Sequence, residues 1–357
     1  MTDVDVLVIG AGQAGLSSAY FLKKHAIDFA VLDANPTPGG AWLHRRPGLR
    51  MDKVHGFHAL PGLPLPPYDP DDPASEAIAA YFAAYEAEYA LPVLRPRHVH
   101  SVTEAPHNRL LVTARTAAAS AETWTTRVLI NASGTWDKPF WPRYPGQELF
   151  RGRQLHSVDY RSPEDFRDQH VIVVGGGASA IEALLEITPL AATTTWATRR
   201  PPVFRHGPFT EAQGRAAVAK VAERVTAGLP PTSVVRATDL HLTPRIEQAL
   251  AEGHLTPHPM FTRLTPTGAH WPDDTETPAD AILYATGYRA ALTHLSPLTL
   301  RAPGGGIPMT GTHTTADPRI HLVGYGPSAS TIGANRAGRA AVATLRRYLN
   351  RPTTIPA

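Results

Sequence analysis

The sequence predicts an α/β fold built on parallel sheets, and three observations predict it. An apolar run, Val4–Ile9, breaks into Gly10-x-Gly12-x-x-Gly15 and a helical stretch, and a second apolar run, Phe29–Leu32, then ends on Asp33. The same order recurs over Val171–Val174, Gly175-x-Gly177-x-x-Ala180 and Thr193–Thr198. Two more buried-strand patterns, one from Val128 to Gly134 and one from Asp280 to Gly287, also end in glycine. Strand, glycine turn, helix and parallel strand is the unit of a doubly wound sheet.

In the first unit each residue has a job. Gly10 makes the tight turn, Gly12 lets backbone approach a pyrophosphate, and Gly15 lets helix and strand pack closely. The helix opens at Gln13 and Ala14, where unpaired N–H groups face phosphates. Asp33 lies 23 residues past Gly10, where a carboxylate accepts the hydroxyls of an adenosine ribose, with Ala34 beside it. The unit is therefore a dinucleotide site rather than a glycine turn that binds nothing. The next loop, Asn35–Trp42, carries Gly39 and Gly40, and its place after the acid sets Gly40 and Trp42 against the rest of the dinucleotide. Residues 43–74 are irregular and proline-rich, a length that usually signals function.

Ser75 is placed to cap a helix over Glu76–Tyr89, whose stripe Ile78, Phe82, Tyr85 and Tyr89 is assigned to the core. Residues 97–128 suggest a meander, followed by the separate strand that ends at Gly134. In the second glycine unit Ala178 and Ser179 open the helix, and Ala180 suffices where only a small residue is needed. Where the first unit has Asp33 the second has Thr198, followed by Arg199 and Arg200. An acid suits an unphosphorylated ribose and arginines suit a 2′-phosphate, so the units expect different dinucleotides. Residues 205–260 look like an elaboration of the second unit, with helices Glu211–Ala227 and Pro244–Glu252 closed by Gly228 and Gly253. Arg301–Pro308 is expected to be a flexible loop, Ile320–Gly326 a last strand running into Gly324, and Thr331–Tyr348 the closing helix.

The 357 residues, 43% hydrophobic, suffice for one large core or two medium ones. Net charge is +3, but Lys and Arg never run longer than two, which describes a solvated surface and not a nucleic-acid face. No apolar stretch approaches the ~20 residues of a membrane helix. The first strand starts too early for a signal peptide, so a cytoplasmic location is expected. The absence of cysteine removes disulfide redox pairs, iron–sulfur clusters and thiolate nucleophiles. The 17 histidines lack metal-ligand spacing: His254 and His258 are four apart, but Pro257 and Pro259 argue against one helical face. No metal is expected.

Together these stretches resemble the two-dinucleotide flavoproteins and, within them, the flavin-containing monooxygenases. The resemblance covers nearly the whole chain. It rests on the two glycine turns, Gly39-Gly40-x-Trp42, Phe150-x-Gly152-x-x-x-His156-Ser157-x-x-Tyr160, and Ala285-Thr286-Gly287-Tyr288. The stretch through His156 discriminates, because glycine turns alone fit many reductases. Asp159-Tyr160-Arg161 stands where the related Baeyer–Villiger signature has Trp-Pro, so the chain is similar to the monooxygenase branch and its small bacterial members.

The resemblance implies two Rossmann-like dinucleotide-binding domains. An NADP domain, 150–287, would be inserted into an FAD domain split between 1–149 and 288–357. FAD would lie at the first turn and Asp33, with Gly134 near it, and Gly324, Thr331 and Ile332 would approach the flavin from the C-terminal side. NADPH would lie at the second turn, with Arg199, Arg200 and Gly287. His156 would organise the hinge. By alignment of the 48–52 loop, Asp52 stands where the family has an asparagine over the flavin. A carboxylate there opposes a peroxide anion unless Arg50 or Lys53 neutralises it.

The implied activity is oxygenation that uses FAD and NADPH and passes through a flavin 4a-hydroperoxide. A small soft nucleophile (sulfide, amine or trivalent arsenic) or a ketone would take the oxygen. The implied partners are a small-molecule substrate and molecular oxygen, with a homodimer allowed. An NADPH-dependent flavoprotein reductase needs the same two sites, and Asp52 speaks mildly for it. A nicotinamide sensor that keeps the fold as a binding module is the remaining alternative.

Overall fold

The structure, a computed structural model, describes residues 1–54, 56–207, 210–232 and 239–350. The first glycine unit forms as expected: β1 (Thr2–Ile9), α1 (Gln13–Lys24) and β2 (Phe29–Leu32). After a long loop come α2 (Ala74–Glu88), β3 (Val93–Leu94), and the meander β4 (Arg97–Ala105), β5 (Arg109–Thr116) and β6 (Ala121–Asn131). The second unit gives β7 (Arg153–His156), β8 (His170–Val174), α3 (Ala178–Ile187) and β9 (Thr193–Ala197). Then follow β10 (Phe204–Arg205), α4 (Glu211–Thr226), β11 (Leu240–His241), α5 (Pro244–Ala251) and β12 (Pro257–His258). A small antiparallel sheet, β13 (Arg263–Thr265), β14 (Gly268–His270) and β15 (Glu276–Pro278), precedes β16 (Ala281–Tyr284). The chain returns through β17 (Met309–Thr310), β18 (His313–Thr314) and β19 (Ile320–Leu322) to α6 (Thr331–Leu349).

Two sheets organise the molecule. The first has the order β17-β18-β19-β6-β1-β2-β3, with β5 also on β6 and β4 on β5. The second has the order β12-β9-β8-β16-β7, every pair parallel. Strands of the first sheet come from both ends of the chain, and those of the second come from between them. Successive side chains of β1 feed opposite layers. Val6 and Val8 pack with Ala341 and Leu345 of α6, while Leu7 and Ile9 pack with Val112, Ile320 and Leu322. Val6, Leu7 and Val8 have no exposed surface, and each such burial contributes roughly 1.5–3 kcal/mol.

Four expectations need correction. Ser75 does not cap α2: Pro73 precedes the helix and Ser75 lies inside its first turn. The fixed proline φ starts the helix earlier, and the Pro73 carbonyl accepts the N–H groups of Glu76 and Ala77. The strand at Val128 is the second half of β6, which pairs antiparallel with β5 and parallel with β1 and stays extended under both ladders. Helix α4 does not elaborate the second unit. Its Val225 joins Ile307, Leu322 and Tyr325 in the first sheet's core, where its apolar stripe finds partners. Residues 301–308 are a closed turn rather than a flexible loop: Gly305 N–H donates to Ala302 O at 2.8 Å and Gly306 N–H to Gly228 O at 3.0 Å. The α2 stripe is core as expected, with Ile78, Phe82 and Tyr85 fully buried.

Candidate functional site

At the first turn Gly10 has φ +95°, and a Cβ there would lie 2.6 Å from Ala132 O. A Cβ on Gly15 would lie 1.8 Å from Gly10 O, so only glycine lets α1 meet β1 this closely. Gly12 is open: a Cβ there would have Gly40 Cα, at 3.9 Å, as its nearest contact. Gly40 in turn has φ +55° and closes on Gly12, as the head of a short 3₁₀ helix, Gly40–His44, that replaces the expected open loop. Gln13 donates through Nε2 to His58 O (3.0 Å) and Asn335 Oδ1 (2.9 Å), and its buried Oε1 has no partner among the described residues. A Cβ on Gly324 would lie 3.3 Å from the Ala14 Cβ. An orphaned polar atom, a glycine cradle and a free helix start together fit a dinucleotide pyrophosphate.

Asp33 is only 4% exposed. Its Oδ1 accepts the Ala11 N–H (3.3 Å) and its Oδ2 accepts Arg95 Nε (2.9 Å). The Arg95 fork grips Glu86 with two bonds of 2.6 Å. Burial pushes the Glu86 carboxyl upward, and Arg95 opposes that push. A carboxylate offers about four acceptor sites, so Asp33 retains capacity for ribose hydroxyls. Ala34 is half-buried beside it. Thr331 donates to Gly56 O at 2.6 Å and accepts the His58 N–H at 3.1 Å, tying the start of α6 to that loop, whereas Ile332 points outward at 37% exposure. Trp42 stands edge-on to Phe57.

The second turn repeats the plan. Gly175 has φ +144° with Ala285 O at 2.3 Å from its would-be Cβ, while Gly177 has nothing within 4 Å. Ala178 and Ser179 are exposed at the helix start, and Ala180 is buried in the core as the required small residue. Arg199 and Arg200 are exposed just after β9, and neither has an ion-pair partner among the described residues. The would-be Gly176 Cβ lies 4.0 Å from Arg200 O, so the arginines flank the turn. Thr198 is spent structurally, its N–H donating to His258 O at 2.9 Å.

Between the units lies the stretch through His156, which is fully buried. Its Nε2–H donates to Gly287 O (3.1 Å) and its Nδ1 accepts the Val158 N–H (3.1 Å). Burial holds the imidazole below its ordinary value, the Gly287 carbonyl opposing. A Cβ on Gly152 would strike Asp280 O at 2.5 Å. Tyr160 donates to Glu186 at 2.7 Å, and Glu186 pairs with Arg46 at 2.6 Å. Arg161 donates to His44 O at 3.2 Å. Residues 44–46 of the first unit are thus latched to α3 of the second. Trp136 stacks between His44 (5.7 Å) and Tyr288 (5.4 Å), and Tyr288 stands edge-on to His156 (5.2 Å). Gly134 and Gly287 both have positive φ and nothing within 4 Å of a would-be Cβ.

Asp52 is exposed in a short 3₁₀ turn, Met51–Lys53. Arg50 donates to Asp71 O instead, and neither Arg50 nor Lys53 pairs with Asp52. The neutralising partner expected from sequence is absent among the described residues. Sequence reasoning also missed Arg95, Glu86, Arg46, Glu186 and Trp136, none of which belongs to a local motif. No cluster of three or more metal-ligating side chains occurs among the described residues, and no helix there is long and apolar enough to cross a membrane.

Two glycine turns of this geometry, each following a strand of a parallel run in its own sheet, define a two-dinucleotide oxidoreductase. Residues 7–213 match the family model described as pyridine nucleotide-disulphide oxidoreductase. A flavin-containing monooxygenase from Stenotrophomonas maltophilia is 38% identical, with 98% of this chain and 100% of that one covered at a TM-score of 0.82. Two curated relatives are each 30% identical. An uncharacterized oxidoreductase, CzcO, of Bacillus velezensis matches over 56% of this chain and 56% of its own length. A probable indole-3-pyruvate monooxygenase of Arabidopsis thaliana matches over 55% and 52%. The chain thus spans about half the length of the curated relatives it matches. Cyclohexanone monooxygenase, at 16% identity and a TM-score of 0.67, shares the fold. The chain belongs to the pyridine nucleotide-disulphide oxidoreductase family and, within it, to the flavin-containing monooxygenases, whose cofactors are FAD and NADPH. With no cysteine, it has no dithiol chemistry of the kind the broader family name describes.

Proposed function

We propose that the protein is a cytoplasmic, NADPH-using FAD monooxygenase that oxygenates a small soft nucleophile such as a thioether or amine. The observation that carries this reading is the contrast between the turns. One is marked by a buried acid and the other by two arginines without an ion-pair partner among the described residues, and the His156–Tyr160 stretch joins them. FAD would be held by Gly10, Gly12, Gln13, Ala14, Gly15, Asp33, Ala34, Gly40, Trp42, Gly134, Gly324, Thr331 and Ile332. NADPH would be held by Gly175, Gly177, Ala178, Ser179, Ala180, Arg199, Arg200 and Gly287. The nicotinamide domain is assigned to 150–287, within an FAD domain split between 1–149 and 288–357.

Bound FAD and NADPH supply hydride transfer and oxygen activation, and the chain's own residues position and shield them. The glycines admit phosphates to backbone N–H groups. His156, neutral with both nitrogens engaged, organises the hinge and holds Gly287 rather than moving a proton. Asp52, by its place in the loop, sets a carboxylate near the oxygen-transfer centre. That carboxylate opposes negative charge there and favours transfer to sulfur over attack on a ketone. The test is product accounting in air with NADPH and methyl phenyl sulfide. Sulfoxide should form alongside hydrogen peroxide, with little oxidation of cyclohexanone. Asp52→Asn should raise sulfoxide per NADPH consumed without changing FAD content. If no sulfoxide forms and an artificial acceptor is reduced far faster than oxygen, the chain is a reductase.

A further inference from the structure

Arg45 stands at the junction of the two units, and the reading above leaves it unused. Its guanidinium carbon lies 5.5 Å from the Trp42 ring and 5.0 Å from the Trp136 ring, so two indoles hold it. Trp42 follows Gly40, which closes on Gly12, and Trp136 follows the open Gly134 at the end of β6. Tyr288 stacks on Trp136 and follows the open Gly287 at the end of β16. Arg45 therefore stands where the carboxyl ends of strands from both sheets converge, the place at which open α/β sheets take ligands.

Arg45 has no carboxylate partner and no side-chain hydrogen bond among the described residues, although the neighbouring Arg46 is paired with Glu186. The residue is exposed to water, yet the enclosing protein still disfavours its charge, with Tyr288 acting in the opposite sense. Two indole faces hold the guanidinium while no described side chain engages its N–H groups, and cation–π contact substitutes only in part for a counter-ion. A charge held in place without a partner is arranged to receive one.

We infer that Arg45 is an anion-recognition residue of the inter-unit cleft and that it binds the carboxylate of an acidic substrate by a bidentate, charge-assisted contact. A phosphate group of the nicotinamide cofactor offers the same chemistry, so the experiment separates the two sources. The inference rests on the reading of the cleft as the place of reaction, but its test reads binding.

Isothermal titration of the FAD-loaded protein with (methylthio)acetate, with its methyl ester and with NADP⁺ would be compared between the native chain and Arg45→Met. The native protein should bind the acid at least tenfold more tightly than the ester. Arg45→Met should erase that difference and leave NADP⁺ affinity within twofold, while Arg45→Lys should restore part of it because it keeps the charge but not the fork. Tenfold weaker NADP⁺ binding, with acid and ester alike in both proteins, would assign the anion to the cofactor and overturn the substrate assignment. If neither anion changes affinity on substitution, Arg45 recognises no anion. Native protein that oxygenates no thioether sinks the proposed function instead, and the titrations still decide this point.

Discussion

The arginines after β9 give the sharpest quantitative prediction. Arg199 and Arg200 are exposed, flank the second glycine turn and lack an ion-pair partner among the described residues. No internal bond has to be broken before they meet a 2′-phosphate. A charge-assisted hydrogen bond contributes roughly 1.5–3 kcal/mol. Water screens an exposed pair, so the two together are expected near the lower half of that range, about 2 kcal/mol. That corresponds to about thirtyfold in affinity. The assay is anaerobic stopped-flow reduction of the bound flavin, with NADPH and NADH each varied, comparing kcat/KM. The native protein should favour NADPH by about this factor. The Arg199→Ala, Arg200→Ala double variant should lose most of the preference by raising KM for NADPH, with NADH efficiency nearly unaltered. Equal use of both donors by the native protein would refute the assignment. So would an equal fall for both donors in the variant, since that would mean the arginines support the fold and not the phosphate.

Two further outcomes follow from the buried groups. Asp33→Ala should strip FAD during purification, whereas Asp280→Asn should retain it, because Asp280 accepts the His170 N–H at 2.8 Å as a link between strands; absorbance ratios of flavin to protein read both. His294, hydrogen-bonded to Asn131 at 2.6 Å, is pulled down by burial to about 4. Its folded value lies below its unfolded value, so its contribution is full above the ordinary histidine range and is lost as pH falls from about 6.5 toward 4, by about 3 kcal/mol at most. Urea midpoints should drop between pH 7.5 and 5, and His294→Gln should flatten that drop; an equal drop in the variant would exclude the residue.

Both glycine units were legible because their signals are local. An apolar run, a positive φ that only glycine adopts easily and a helix stripe all fall within thirty residues, and Gly10, Gly15 and Gly175 meet backbone in the structure as the pattern requires. The partners of Asp33 were not legible. Arg95 lies 62 residues away, and nothing in its own neighbourhood distinguishes it from a solvated arginine. The same applies to Arg46 and Glu186, which only the folded chain brings together. Helix α4 was misplaced because an amphipathic stripe states that a helix buries one face and not which sheet receives it. Asp52 was located by alignment of a loop, and neither of the cations that could neutralise it, Arg50 or Lys53, pairs with it among the described residues.

The Arg46–Glu186–Tyr160 latch bears on how such a chain can be recombined. The two halves look like cassettes, and exchanging residues 150–287 for the matching stretch of another oxidoreductase would preserve both glycine turns. Arg46 would be left behind, its side chain only 16% exposed, facing whatever acid the donor failed to bring. The pair is partly buried, so losing one member costs less than the ~3–5 kcal/mol of a fully buried pair, yet more than the exposed pairs that contribute about 0–1 kcal/mol. Transplanting the second glycine unit is therefore taxed at a point remote from both glycine turns. Rewriting the exposed pair Arg199 and Arg200 meets no such obstacle, so donor preference is open to drift by single substitutions while the halves themselves stay married.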